Sequence, residues 1–148
     1  MARFTVNELL NAFKTELSTK YKIAPTIRYF RVGDVAELAT NAPAYYLEPG
    51  TLSLNRRNVA SAEMVQTVRF LVEYRVQYAT AAAACAETIA FFERVGRDFM
   101  KAPNIADDAA FLQGFSTFTD APGGVSVQAI QDGVAAIFGG IELTFSVG

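Results

Sequence analysis

The sequence of 148 residues contains no histidine and no tryptophan, and its only cysteine is Cys85. The absence of histidine excludes Ser-His-Asp and Cys-His nucleophilic sites and most transition-metal sites, because these sites use imidazole groups. A single cysteine cannot form an internal disulfide, so we expect the chain to be made and assembled in a reducing cytoplasm. The residues therefore predict no catalytic group, no metal site and no cofactor.

Long apolar runs and a strongly basic face are also missing, and no secretory signal is predicted. No apolar run approaches the roughly 18 residues that a membrane-spanning helix needs. The first residues, MARFTVNELL, have a capped amphipathic pattern instead of a charged segment followed by an apolar one, which predicts no secretory signal. No basic residue follows Lys101. Nucleic-acid binding through a basic surface is therefore not favoured.

The charge is divided unevenly along the chain. Residues 1–75 contain ten Lys or Arg and seven Asp or Glu, whereas residues 76–148 contain three and eight. Regions of opposite sign can pair with another copy or with a partner of matching pattern, and ordinary surface scatter explains the counts equally well. Apolar residues make up 51% of the chain, so part of this apolar content can be buried between subunits.

Two segments have helical periodicity. Thr5 and Glu8 form a capping box at the start of the first, which should end near Tyr21. Its apolar stripe comprises Val6, Leu9, Leu10, Phe13 and Leu17. The second helix is predicted from Thr80 to Lys101, with an apolar face of Ala82, Cys85, Ile89, Phe92, Gly96 and Phe99. Because Cys85 lies on this face, an inert packed thiol is the favoured interpretation.

The segment VRFLVEYRVQY alternates apolar and mostly polar residues and predicts a strand from Met64 to Ala79. This strand is far longer than the usual 5–6 residues, so part of it should extend beyond its own sheet or pair with another subunit. Other predicted strands are Thr26–Val32, Ala109–Thr119, a hairpin of VSVQAI and GVAAIF around Asp132-Gly133, and the closing IELTFSV. The order predicts a single α+β domain over residues 1–148, with two main helices on a mostly antiparallel sheet.

Residues 33–62 lack a strong period and predict a long loop with brief extended pieces in AYYLEPG and GTLSLNRRN. Tyr45, Tyr46 and Leu47 lie between two prolines of this loop, where they form either a binding patch or a strap over the domain's own core. Exposed tyrosine is favoured at protein interfaces, so we expect the loop to contact a partner. The doublet Arg56-Arg57 fits a phosphate contact, although a solvated hairpin tip is favoured.

Carboxylates occur in two places where chemistry must be considered. Asp107-Asp108 can bind a cation, but solvated loop charge is the favoured interpretation because no third ligand has motif spacing. Glu73 and Glu142 lie in different predicted strands and form either a two-carboxylate site or ion pairs across a sheet face. Ion pairs are favoured, with Arg69 and Arg75 as the neutralising partners.

The layout resembles the tail terminator proteins, also called tail-completion or neck proteins, of tailed bacteriophages. The resemblance rests on the capped helix TVNELLNAFKTEL, the extended APAYYLEPG and its polar turn NRRN, the strand VRFLVEYRVQY running directly into AAAACAETIAFFERVGRDFM, and the ending GGIELTFSV. It covers nearly the whole chain as layout and pattern, and it departs from the family around VSVQAIQDGVAAIFGG.

The resemblance implies a non-enzymatic structural protein of the virion that forms a homo-oligomeric ring, commonly of six subunits. Such a ring caps the completed tail tube and joins it to the head-side connector or completion protein. DNA passes through the lumen without sequence-specific binding, and no membrane is involved. The residues expected at interfaces are those of the loop and of the charged strand face, namely Tyr45, Tyr46, Leu47, Arg56, Arg57, Arg69, Glu73 and Arg75.

Two alternatives remain open. The first is another neck or tail component, such as a head-completion protein or a tube subunit. The second is a small α+β enzyme or ligand-binding domain with a pocket under the 33–62 loop. Mass in solution separates them, because a ring is a large oligomer, whereas a small enzyme is usually a monomer or dimer.

Overall fold

The computed structural model describes residues 5–29, 43–56, 62–101, 104–105, 110–117 and 125–147. Two helices pack on a mostly antiparallel sheet, which confirms the α+β class. In chain order the elements are α1 (Val6–Tyr21), β1 (Thr26–Ile27), β2 (Ala44–Arg56), β3 (Ala62–Gln77), α2 (Tyr78–Lys101), β4 (Asn104–Ile105), β5 (Ala110–Thr117), β6 (Val125–Gln131) and β7 (Val134–Val147).

The sheet has the strand order β1-β2-β3-β7-β5-β4, and β6 also pairs with β7. Among the described strands, only β1 and β2 pair in parallel. The antiparallel pairing of β3 with β7 extends from Met64 opposite Val147 to Gln77 opposite Val134. The other edge of β7 pairs with β6 in its first half and with β5 in its second half. GVAAIF and IELTFSV, predicted as separate strands, are therefore one strand, because Gly139-Gly140 continue the pairing with β3.

The two brief extended pieces predicted in AYYLEPG and GTLSLNRRN, within the loop expected over residues 33–62, are joined into one 13-residue strand, β2. Pro49 and Gly50 conceal the strand pattern, because they lie at an irregularity in the pairing with β3, between Pro49 and Leu52. The Thr51 N–H donates to the Thr67 hydroxyl there. A Cβ on Gly50 would lie 2.0 Å from that hydroxyl oxygen, so only glycine fits. Proline is tolerated at bulges and strand edges.

Other boundaries differ by a few residues. The first helix begins with the predicted capping box, in which the Glu8 N–H donates to the Thr5 hydroxyl at 3.1 Å. Of the strand predicted at Thr26–Val32, only Thr26–Ile27 is a strand, and its last three residues lie outside the described part of the chain. The turn predicted at Asp132-Gly133 is confirmed, with Gly133 at φ +78°.

The long strand β3 enters α2 with no intervening residue. The helix begins at Tyr78, two residues earlier than predicted, and the Tyr78 N–H donates to the Gly133 carbonyl at 3.0 Å. The Thr80 hydroxyl donates to the Gln77 carbonyl at 2.9 Å. The turn between β6 and β7 therefore satisfies one of the backbone donors that the helix start leaves unpaired, and no glycine or proline is needed.

The core lies between the two helices and one face of the sheet. The even-numbered face of β3 supplies the predicted apolar row, and Val68, Phe70 and Val72 are buried there. Phe13 of α1 contacts the rings of Phe70, Phe99 and Phe145, with ring centroids 6.2, 4.9 and 5.9 Å away. Aromatic pairs at such distances add about 0.5–1.5 kcal/mol each beyond their buried area. This cluster joins α1, α2, β3 and β7.

The predicted apolar face of α2 is partly wrong. Ala82 and Ile89 are exposed and Cys85 is only partly buried. The buried residues are Ala84, Thr88, Phe92, Val95, Gly96 and Phe99. The helix approaches the sheet most closely at Gly139, where a Cβ would lie 2.8 Å from both Thr88 Cγ2 and Phe92 Cε2. Thr88 tolerates burial because its hydroxyl donates to the Ala84 carbonyl at 2.8 Å.

We expect Gly139→Ala to destabilise the protein by about 1–3 kcal/mol, because the added methyl group forces α2 away from β7. Gly114→Ala is the matched control, since a Cβ there meets no atom within 4 Å and should change stability by about 0.5 kcal/mol or less. Urea unfolding of both variants measures the difference. Equal stability of the two variants would contradict the close approach at Gly139.

Candidate protein-protein interface

The sheet face opposite the helices, here called the polar face, collects several charged residues from distant parts of the sequence. β3 contributes Arg69, Glu73 and Arg75, three of the sequence-predicted interface residues. β2 contributes Tyr46 and Glu48, β7 contributes Glu142, and Arg28 follows β1. Cross-strand pairing places Glu48 beside Arg69 and Arg69 beside Glu142. Positive and negative side chains therefore alternate across this face.

Arg28 is the centre of a half-hidden ion-pair cluster. Its Nη2 lies 2.7 Å from Glu48 Oε1 and 3.0 Å from Glu73 Oε1, and its guanidinium carbon lies 3.9 Å from the centre of the Tyr46 ring. The exposed fractions of the Arg28, Glu48 and Glu73 side chains are 17%, 13% and 6%. Burial lowers the pKa of Arg28, but the two carboxylates offset this and raise it above its usual value. The guanidinium thus stays charged and neutralises two carboxylates.

The two-carboxylate hypothesis for Glu73 and Glu142 is wrong. The register places Glu73 opposite Phe138, and Glu142 opposite Arg69. Arg69 Nε donates to Glu142 Oε1 at 2.9 Å. Ion pairing across the face is therefore confirmed, and Arg28, which the sequence did not indicate, is a cation paired with Glu73. Arg28 was missed because its pairing depends on the register of three strands.

Tyr45, Tyr46 and Leu47 do not form one patch, because successive strand residues face opposite sides. Leu47 is fully buried in the core, so its predicted interface role is corrected to a packing role. The Tyr45 ring packs against two phenylalanine rings, and its centroid lies 6.1 Å from that of Phe70 and 5.7 Å from that of Phe91. The strap interpretation therefore holds for Tyr45 and Leu47, while Tyr46 lies on the polar face.

Beyond the irregularity in β2, residues 52–56 pair with residues 62–66 at the start of β3. We call this part of the hairpin the arm. Leu52 and Leu54 are 48% and 68% exposed. Arg56 is also exposed and lies on the same face as Leu52 and Leu54. The three residues pair with Gln66, Met64 and Ala62, which are alternate residues of β3 and therefore share one face of the strand. Among the described strands, only β1 pairs with this edge of β2, at Tyr46 and Leu47. Arg57 lies outside the described residues. The alternation in TLSLN was the sequence signal for this exposed apolar row.

A groove of about 310 Å³ lies between α2 and the other end of β2 and β3. We call it the α2 groove, and it is lined by Pro43, Tyr45, Val72, Tyr74, Glu87, Thr88 and Phe91. The Tyr74 hydroxyl donates to the Ala84 carbonyl at 2.7 Å and lies 3.3 Å from the Thr88 hydroxyl. Burial raises the pKa of both Tyr45 and Tyr74, although the Arg94 cation partly offsets the rise at Tyr45 and the hydrogen bond with Thr88 partly offsets it at Tyr74. Sequence reasoning missed this groove, because strand pairing and helix packing bring its residues together.

Within the described residues, no group of three or more Cys, Asp or Glu side chains is arranged to hold a metal ion. None of the described helices is long and apolar enough to cross a membrane. Asp107 and Asp108 lie outside the described part of the chain. No protein-family model matches the sequence, and no curated protein shows significant similarity to it.

The Arg28 cluster can be tested by removing its cation. Arg28→Met should lower stability by about 2–3 kcal/mol, somewhat less than the roughly 3–5 kcal/mol for breaking a fully buried pair, because the Glu73 carboxylate loses its partner. Adding Glu73→Gln should restore part of that loss. Arg69→Met is the control, expected to cost about 1 kcal/mol or less because that pair is more exposed. Urea unfolding of these three variants and of the wild type measures the differences. Equal costs for Arg28→Met and Arg69→Met would contradict this account.

The thiol of Cys85 should react slowly. It is partly buried, and this burial raises its pKa, so less of the nucleophilic thiolate is present at neutral pH. Alkylation by iodoacetamide should be slower than in the urea-unfolded chain, with a rate midpoint above the usual value of about 8.5. A folded-state rate faster than the unfolded one would indicate an activated thiol.

Proposed function

We propose that this chain is a structural subunit of a closed ring, of the kind formed by phage tail terminator proteins. In this proposal the ring contains six copies, caps the tail tube and joins it to the head-side connector, and DNA passes through its lumen. It is assembled in the host cytoplasm and remains in the virion.

The observation that carries the proposal is the arm. Two large apolar side chains, Leu52 and Leu54, stand exposed on a strand edge that has no described neighbour beyond β1. Such an edge is a template for pairing or docking with another chain. The α2 groove lies at the opposite end of the same two strands, so the chain presents two different surfaces that are well separated along the sheet. Two unlike surfaces are what a head-to-tail contact requires, and head-to-tail contacts close into rings when the rotation permits.

The polar face gives further support. Its paired charges are held in place by Arg28 and by the Arg69–Glu142 pair. The charges of this face nearly cancel, because three carboxylates lie among three arginines. Such a face suits contact with a polar surface, whereas Leu54 of the arm is the most exposed large apolar side chain of the described residues.

A second candidate is a ligand-binding α+β domain that uses the α2 groove. The volume of about 310 Å³ is at the lower end of the range for small-molecule pockets, about 300–1,000 Å³. A protein of this class would be a monomer or dimer, so the assembly experiment distinguishes it from a ring.

Light scattering coupled to size-exclusion chromatography should find a large homo-oligomer at about 0.15 M salt, and electron-microscopic class averages should show rings. Leu54→Glu should weaken association at least about tenfold, because burying a leucine contributes about 1.5–3 kcal/mol. Its circular dichroism spectrum should be unchanged, since Leu54 is mostly exposed in the single chain.

Thr19→Glu, which places the same charge on an exposed position of α1, is the control and should associate normally. A wild-type protein that stays monomeric at high concentration and forms no ring on isolated tails would contradict the proposed function. Equal association by both variants would exclude the arm from the contact.

A further inference from the structure

The α2 groove has the chemistry of a site for a guanidinium group. Tyr45, Tyr74 and Phe91 supply aromatic walls and Glu87 supplies a carboxylate. Cations are attracted to aromatic faces, and arginine also stacks on them. Glu87 is exposed and forms no ion pair with a described residue, and the Arg94 guanidinium of the same helix lies 5.6 Å from the centre of the Phe91 ring. The groove therefore combines an available anion with aromatic surfaces.

The groove is open to solvent on one side, and its volume of about 310 Å³ is enough to receive one long side chain presented by another chain.

The arm offers such a side chain. Arg56 is exposed, lies on the same face as Leu52 and Leu54, and forms no ion pair with a described residue. It cannot reach the groove of its own chain, because Tyr45 and Arg56 are separated along β2 by roughly 35 Å at about 3.3 Å per residue. A contact between the two must therefore join two copies.

We propose that the α2 groove binds the Arg56 guanidinium of a second copy, with Glu87 as its ion-pair partner and Leu52 and Leu54 packed beside the groove. This inference rests on the proposed ring and names the contact that builds it. The contact is head-to-tail, because the arm and the groove are different surfaces at opposite ends of the same strands. Every copy then uses one arm and one groove, as closure of a ring requires.

Chemical cross-linking tests the placement. In a Cys85→Ala background, Arg56→Cys combined with Glu87→Cys should give covalent oligomers with a short bis-maleimide. A direct disulfide is unsuitable, since the Cα atoms of a long ion pair lie farther apart than the roughly 7 Å limit of a disulfide. We expect a ladder on a denaturing gel that ends at the ring size. Arg56→Cys with Glu93→Cys is the matched control, because Glu93 is an exposed carboxylate on the same helix, and it should give little product.

Charge exchange tests the energetics. Arg56→Glu and Glu87→Arg should each weaken association at least tenfold, and the double variant should recover most of the loss. Single variants that form rings as readily as the wild type, or a double variant that recovers nothing, would overturn this inference while leaving the proposed ring intact. Loss of tube capping by Glu87→Gln without loss of ring formation would also overturn it, because another protein's cation would then occupy the groove. A monomeric wild type would instead overturn the proposed function.

Discussion

The antiparallel pairing of β3 with β7 is the constraint on which the remaining structure depends. It extends over the length of both strands and sets which residues lie opposite each other on both faces of the sheet. On one face it places Gly139 below α2, so that Thr88 and Phe92 can approach the backbone. On the other face it places Glu142 beside Arg69. Because Gly133 precedes β7 directly, the same pairing also brings its carbonyl to the first turn of α2.

This pairing leaves little freedom for a shifted register. A shift of one residue would turn every side chain of β3 to the other face of the sheet. Glu73 would then enter the aromatic cluster around Phe70, and Phe70 would leave it for water. The charges of β3 thus oppose the alternative register as strongly as its apolar row favours the observed one. In the observed register, the carboxylates of the polar face are largely hidden from solvent, and their ion pairs offset the cost of burying them.

Local signals in the sequence predicted the elements that depend on neighbouring residues. The capping box at Thr5, the two faces of β3 and the turn at Asp132-Gly133 all follow from a few adjacent positions. β2 was not predicted as one strand because Pro49 and Gly50 are residue types typical of loops. The strand continues through them because the Thr51 N–H donates to the Thr67 hydroxyl of β3, a contact with a residue distant in the sequence. Of the residues that the structure places on the polar face, the arm and the α2 groove, Tyr46, Arg56 and the charged residues of β3 were visible in the pattern. Arg28, Glu48 and Glu87 were not, because their roles arise from residues distant in the chain.

The direct junction of β3 and α2 has a mechanical consequence. The strand has 16 residues and the helix has 24, which correspond to about 53 Å and 36 Å of secondary structure. A flexible connection would absorb a twist applied at one end, but here the backbone continues from one element into the next and is tied to Gly133. A load on the arm is therefore carried along the strand into the first turn of the helix. We therefore expect β3 and α2 to rotate together as one unit, so that a torque applied to the arm reaches the helix.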